Sequence, residues 1–316
     1  MGLRFVLLWA ATAAVAGVLD FIGRDVGITS QTMLTEDQAA RVLEDAREGH
    51  ADSLHFSALL HLYGKGGVKQ NSYKALDIFK AAAAKGHAAS QVALGVMLRH
   101  GHGTTRDDKA AFAWFAAAAR QGHVEGMWLL GVMHVEGLGT TAPDYGEARK
   151  WLRLSAQTAK SPDAMHWLGV MEEYGLGSVE ANLTAAVEWY TKSHRAGHVT
   201  SAFHLGLMHA YGRGVNQDHA RGMLLFQDAV AKGHAGAMYY LGVMALYGQG
   251  MPVNYDMARL WQQTVPEAGK LRASGRGYAP GKISRRGRLR TKRPCRGFTK
   301  GLVSPEALLT VPKPVP

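Results

Sequence analysis

The chain has 316 residues, 47% of them apolar, enough to bury a core in one large domain or two ordinary ones. Its net charge of +11 sits at one end: residues 1–269 hold 23 Lys/Arg against 24 Asp/Glu, and residues 270–316 hold 13 against Glu306 alone. The near-neutral remainder gives no argument for a nucleic-acid partner, and the single cysteine, Cys295, excludes a disulfide framework or a cysteine-based zinc site.

In chain order, the first element is an apolar run from Phe5 to Ala16 behind Arg4, with Ala14 and Ala16 at the small-residue positions of a cleavage site. The run falls short of the ~20 residues that span a bilayer as a helix. It reads as a signal peptide over 1–16 and a linker over 17–34, with a buried N-terminal helix as the alternative. No other segment is apolar over a membrane-spanning length. Residues 35–50 read as a single capping helix, opened by the capping-box spacing of Thr35 and Gln38.

From residue 51 to 269 the sequence repeats itself. A Leu-Gly pair recurs at Gly95, Gly131, Gly169, Gly206 and Gly242, at intervals of 36, 38, 37 and 36 residues. Six residues after each stands the first glycine of a Gly-x-Gly, from Gly101/Gly103 to Gly248/Gly250. An earlier copy, Gly64/Gly66, has Ala58 in place of the Leu-Gly glycine. Gly-His closes the units at His50, His87, His123, His198 and His234, and Lys160-Ser161-Pro162 replaces the fourth closure.

Each unit parses as two helices. In the clearest copy the first spans Ala88 to about Arg99, and the second runs from about Asp107 to Gln121. Ala111, Phe112, Phe115, Ala118 and Ala119 form a one-faced stripe on the second. Asp107 or Asp108 caps its start, and Gly122 supplies a left-handed stop. The Leu-Gly glycine falls inside a helix, where it costs ~1 kcal/mol against alanine. Close helix approach is the expected compensation. Such pairs cannot bury their apolar faces alone, so the expectation is an all-α, α/α superhelical solenoid of about six helix-turn-helix repeats.

The sixth unit falters. Pro266 interrupts its second helix, and periodicity stops after Gly269. Residues 270–316 are expected to be a disordered basic tail: a polyelectrolyte arm, a solvated segment without a partner, or a translated non-coding stretch.

The residues offer no chemistry beyond the repeat. His134, Glu172 and His209 hold equivalent places in successive units, too far apart at helix spacings of ~8–10 Å to share one zinc ion. The Gly-x-Gly pairs follow helices, not strands, and so are not a nucleotide fingerprint. His204 and His209 lack the spacing of a zinc-protease helix. No catalytic residue, metal, cofactor or small-molecule substrate is expected. The binding candidates lie two residues before the Leu-Gly glycine, where Ala93, Leu129, Trp167, His204 and Tyr240 vary while their neighbours stay fixed in type. Trp167 and Tyr240 stand out as aromatic anchors.

The order Leu-Gly, Gly-x-Gly, Ala, Gly-His resembles the Sel-one-like repeat, a relative of the tetratricopeptide repeat. Ser90 to His123 and Tyr239 to Gln262 carry it most clearly, and the resemblance covers about residues 46–269. It implies a non-catalytic adaptor whose first helices line a concave, protein-binding face. With a signal peptide ahead of the repeats, it looks most like the luminal adaptor of endoplasmic-reticulum-associated degradation, whose partners are misfolded proteins and a membrane ubiquitin ligase. Asn182-Leu183-Thr184 is a glycosylation sequon in keeping with a luminal location. Many relatives carry a long C-terminal extension with a membrane anchor; this sequence departs from that pattern, so no transmembrane span of its own is expected after signal cleavage. A generic cytoplasmic scaffold is the first alternative, and a secreted repeat hydrolase the second.

Overall fold

The computed structural model describes residues 35–177 and 180–261. The expected signal peptide (1–16), linker (17–34), break at Pro266 and basic tail (270–316) lie outside the described residues.

Within them are twelve complete helices, a helical segment over 255–261 and no strand. A lone helix, α1 (Glu36–Arg47), precedes five helix pairs. These are α2 (Ala51–Tyr63) with α3 (Ser72–Ala84), and α4 (Ala88–His100) with α5 (Asp108–Arg120). Next come α6 (Val124–Glu136) with α7 (Tyr145–Ala159), and α8 (Pro162–Tyr174) with α9 (Leu183–Arg195). The fifth pair is α10 (Val199–Tyr211) with α11 (His219–Ala231); α12 (Ala235–Tyr247) opens a sixth unit, continued by 255–261. Helices pack most extensively within a pair and next on the adjoining pair. Successive first helices also touch, α4 with α6 and α6 with α8. This is a six-unit all-α solenoid.

The turns explain the glycine pattern. Gly101 ends α4 at φ 71° and donates its N–H to the Met97 carbonyl, a left-handed stop that costs glycine little. Gly103 serves the next level of packing, because a Cβ there would lie 2.5 Å from the Ser72 carbonyl at the start of α3 in the preceding unit. The same contact recurs at Gly139 on Asp108, Gly177 on Tyr145, Gly214 on Leu183 and Gly250 on His219. Gly66 makes it with Ala39, so α1 occupies the place of a second helix. Its capping box forms as the Thr35–Gln38 spacing suggests.

Across each turn the second helix is capped by an Asn or Asp. Asp107, rather than Asp108, accepts the Ala110 N–H at 2.9 Å, while its own N–H returns to the Leu98 carbonyl of the first helix. Asn71, Asp144, Asn182 and Asp218 repeat both bonds. The closing Gly-His pairs divide two tasks. The glycines adopt φ of 82–95° after the second helix, and the histidines stand at the N-cap of the first. His87, His198 and His234 accept a backbone N–H through Nδ1 at 3.1 Å. In the deviant closure Ser161 caps α8 through the Ala164 N–H, and Lys160 takes the left-handed conformation at φ 50°.

The Leu-Gly glycines hold the two helices of a unit together. A large, fully buried side chain of the second helix lies against each of Gly95, Gly131, Gly169 and Gly206. A Cβ would come within 2.6 Å of the Phe115 ring at Gly95 and 2.7 Å of Leu152, Tyr190 and Phe226 at Gly131, Gly169 and Gly206. Phe79 fills the equivalent place in the first unit, clustered with Ala58. Gly242 stands at the same position in α12.

Two stability predictions follow from these glycine positions. Gly95→Ala gains helix propensity but drives a methyl into the Phe115 ring, so urea unfolding should show a net loss of about 1–2 kcal/mol. Lys160→Gly relieves a left-handed lysine where the other units carry glycine, and the same measurement should show a gain of about 0.5–1 kcal/mol.

Candidate protein-interaction surface

The first helices carry the binding candidates, and the structure places them at different depths. Ala93 is fully buried, and Leu129, 5% exposed, belongs to the same core cluster. Trp167 is half-buried against the core formed by Val170, Ala186, Tyr190, Leu205 and Met208. His204 stacks on Tyr190 at 5.1 Å, with Nδ1 3.3 Å from the Glu173 carboxylate. Tyr240 stacks on Phe226 and meets Phe203 edge-on, each at 5.6 Å, and burial lifts its hydroxyl to about 12. These residues pack the joints between units, and only Trp167, His204 and Tyr240 keep part of their surface.

A second column is more exposed and escaped the sequence reading. The last residue of each first helix, just before the Gly-x-Gly, is Tyr63, His100, Glu136, Tyr174, Tyr211 or Tyr247. Tyr174 is 36% exposed and Tyr247 48%; Tyr211 between them is half-buried beside Tyr239. Helices α10 and α12 contain no Asp, Glu, Lys or Arg. Units 4 to 6 thus present tyrosines at successive equivalent places, the last two on uncharged helices. The readable signal was a tyrosine immediately before the first glycine in four of six copies.

The joints differ in chemistry. Between units 2 and 3, Arg99 pairs with Glu136, and between units 3 and 4, Arg149 pairs with Glu172. Between units 4 and 5 the buried Glu173 accepts from Tyr190 Oη at 2.7 Å and from Arg213 Nη1 at 2.8 Å. Burial alone would push the Glu173 carboxyl up. The hydrogen bond and charge of His204, the Arg213 guanidinium and the Tyr190 hydroxyl outweigh it and hold the group at about 2. Between units 5 and 6, Phe203 stacks on His234 at 4.5 Å.

Two joints hold an arrangement that resembles a catalytic triad. Asp52 Oδ1 lies 3.1 Å from His87 Nε2, and His87 Nδ1 lies 2.8 Å from Ser90 Oγ. Asp163, His198 and Ser201 repeat it, with the carboxylate at 3.6 Å. Both serines are fully buried between units, where no substrate carbonyl can reach. Each histidine also takes the serine's backbone N–H, so the arrangement is a helix cap. His134, Glu172 and His209 hold equivalent places, their carbonyls accepting the N-cap N–H of Asp144, Asn182 and Asp218. Among the described residues no three His, Cys, Asp or Glu side chains converge as a metal set, and no helix is long and apolar enough to cross a membrane. Asn182 is exposed at the N-cap of α9, its Oδ1 accepting the Ala185 N–H.

Stacked two-helix units define a repeat scaffold. Six consecutive Sel1 repeats match, over residues 51–87, 88–123, 124–157, 162–198, 199–234 and 235–261, and the chain belongs to the Sel1 repeat family. Proteins of this kind are in general non-catalytic scaffolds that mediate protein–protein interaction. The fold is similar to a Sel1 repeat protein from Oxalobacter formigenes, with 25% identity and a TM-score of 0.67 over 73% of this chain and 90% of that one. It is also similar to c5321, a protective antigen of uropathogenic Escherichia coli displaying an SLR fold. There the identity is 28% and the TM-score 0.61, over 86% of this chain and 57% of that one. No curated protein matches the chain.

The Glu173 cluster yields a prediction with a definite sign. Its carboxyl is held below the value it has in the unfolded chain, so its contribution is present above pH ~4.5 and is lost as pH falls toward about 2. Glu173→Gln should lower stability at neutral pH by about 2–3 kcal/mol and flatten that acid limb in thermal melts.

Proposed function

We propose that the chain is a non-catalytic adaptor that binds other proteins through its first-helix row, centred on units 4 to 6. The observation that carries this reading is the run Tyr174, Tyr211 and Tyr247, supported by Tyr239, Tyr240 and Trp167. Tyrosine and tryptophan give large contact area at low conformational cost and dominate interaction hot spots. Leu129 belongs to the core of units 1 to 3, and His204 is half-buried.

The finer reading places this adaptor in the lumen of the endoplasmic reticulum, bringing misfolded proteins to a membrane ubiquitin ligase complex. Three features support it: the signal-like run over 5–16, the sequon on the exposed cap Asn182, and the resemblance of the repeat unit. A scaffold of the same fold in another compartment is the alternative, and it shares the tyrosine surface but not the glycan.

The test has two arms. In intact microsomes the tagged full chain should resist protease until detergent is added, and glycosidase should shift its mobility. Digestion without detergent would remove the luminal reading and leave the scaffold. Replacing Tyr174, Tyr211 and Tyr247 by serine should weaken binding of co-purifying partners at least tenfold with the circular dichroism unchanged. Undiminished binding would move the contact surface elsewhere.

A further inference from the structure

Two of the five joints are built around a histidine, and they are built alike. At the first, His55 of α2 points its Nδ1 at Ser90 Oγ of α4, 2.8 Å away; at the fourth, His166 of α8 meets Ser201 Oγ of α10 at 3.0 Å. Both pairs are 35 residues apart, with the histidine three residues before the Leu-Gly position and the serine five before the next. The corresponding pairs elsewhere are Val92 and Gly126, Trp128 and Ala164, and Phe203 and Ala237. Polar partners therefore occur together or not at all.

Hydrogen-bond counting fixes the proton positions. His87 Nδ1 accepts the Ser90 backbone N–H, so it carries no proton and takes the Ser90 hydroxyl proton as well. Ser90 Oγ then accepts from His55 Nδ1–H, which leaves the His55 Nε2 lone pair in the interior without a partner. A proton added there finds no acceptor. At the fourth joint His198 Nδ1 accepts the Ser201 N–H. Ser193 Oγ donates to the Pro162 carbonyl at 2.6 Å, so Ser201 Oγ donates to Ser193 Oγ at 2.7 Å and His166 Nδ1–H is the donor to Ser201.

The surroundings reinforce this. His55 faces Phe56, Phe79 and His87 at ring distances of 4.8–6.1 Å and feels the charge of His123, while Asp52, three residues earlier on α2, pairs with His87. His166 faces His198 at 4.5 Å, His204 at 5.4 Å and Tyr190 at 5.5 Å, with His234 farther along. Asp163 lies behind His198, and Glu173 lies behind His204 and Tyr190. In both places the nearest ionisable neighbours are other imidazoles. Burial also lowers His134, at the joint between units 2 and 3, but there Asp144 and Glu147 partly offset it.

We propose that the joints between units 1 and 2 and between units 4 and 5 are acid-sensitive hinges, which open selectively as the pH falls from neutral to about 5. In a solenoid each interface contributes separately, so a weakened joint opens without unfolding its neighbours. Opening at both sites would release unit 1 and units 5 and 6 from the block of units 2 to 4. Burial, and then the nearby histidines, lower His55 to about 3 and depress His166 as well. An opened joint returns its histidine to about 6.5, so opening takes up a proton. The opening constant then rises about tenfold per pH unit below 6.5, roughly 30-fold by pH 5.

Hydrogen exchange of the full chain at pH 7.5 and pH 5.0, corrected for the intrinsic exchange rate, reads the joints one by one. Protection should fall about 30-fold in α2 and in α8 and α10, and by less than threefold in α6, which carries no residue of either histidine–serine pair. The double variant His55→Val/Ser90→Ala installs an apolar pair like those of the other joints. It should abolish the response at α2 and leave that at α8 and α10, an internal control in the same molecule. An equal loss of protection along α6, or an unchanged response of α2 in the double variant, would overturn the proposal. Should the double variant not fold, ring-proton titration of His55 and His166 in the native chain decides. Both rings neutral at pH 5 with protection intact contradicts the hinges; proton uptake coincident with lost protection supports them.

Discussion

Units 2 to 5 depend on one close approach, the seating of a second-helix side chain on a first-helix position that has no side chain. Phe115 on Gly95, Leu152 on Gly131, Tyr190 on Gly169 and Phe226 on Gly206 bring the paired helices closer than an added Cβ would permit. The helix propensity lost at each glycine, ~1 kcal/mol, is small beside a fully buried aromatic or leucine, worth roughly 1.5–3 kcal/mol. With that distance set, the remaining glycines follow. One turns the chain out of the first helix, the next rests on the preceding unit, and the last ends the second helix.

Stacking then frees the rest of the surface to vary. A unit is fixed by its glycines and the ring they receive, whereas a joint needs only complementary partners. Three kinds appear: ion pairs at Arg99–Glu136 and Arg149–Glu172, histidine–serine pairs at the first and fourth joints, and aromatic stacking of Phe203 on His234. Glu173 adds a buried carboxylate with three partners at the fourth joint. A common backbone thus carries joints of unequal pH response, together with an uncharged tyrosine-bearing stretch at one end of the row.

The fold was legible because its determinants are local and repeated. The glycine spacing marks each turn, and Thr35–Gln38 and Asp107 mark helix starts within a residue or two. The reason for the Leu-Gly glycine was also within reach, although the ring that presses on it lies about 20 residues away and only the structure identifies it. The site was less legible. Variability at Ala93, Leu129, Trp167, His204 and Tyr240 suggested a free surface; Ala93 and Leu129 are buried in the core, and Trp167, His204 and Tyr240 keep only part of their surface. Tyr174, Tyr211 and Tyr247 were hidden among turn residues. The triad-like Asp52–His87–Ser90 depends on contacts across units that linear spacing does not reveal.

The central claim is that partners are gripped on the first-helix row, and photo-crosslinking from single positions in the full chain tests it most directly. A benzophenone side chain replacing Tyr174, Tyr211 or Tyr247 should give discrete partner adducts. The same group at Tyr73 or Leu224, exposed on second helices, should give none. Adducts from Tyr73 and Leu224 with silence from the three tyrosines would contradict the account and place recognition on the opposite row.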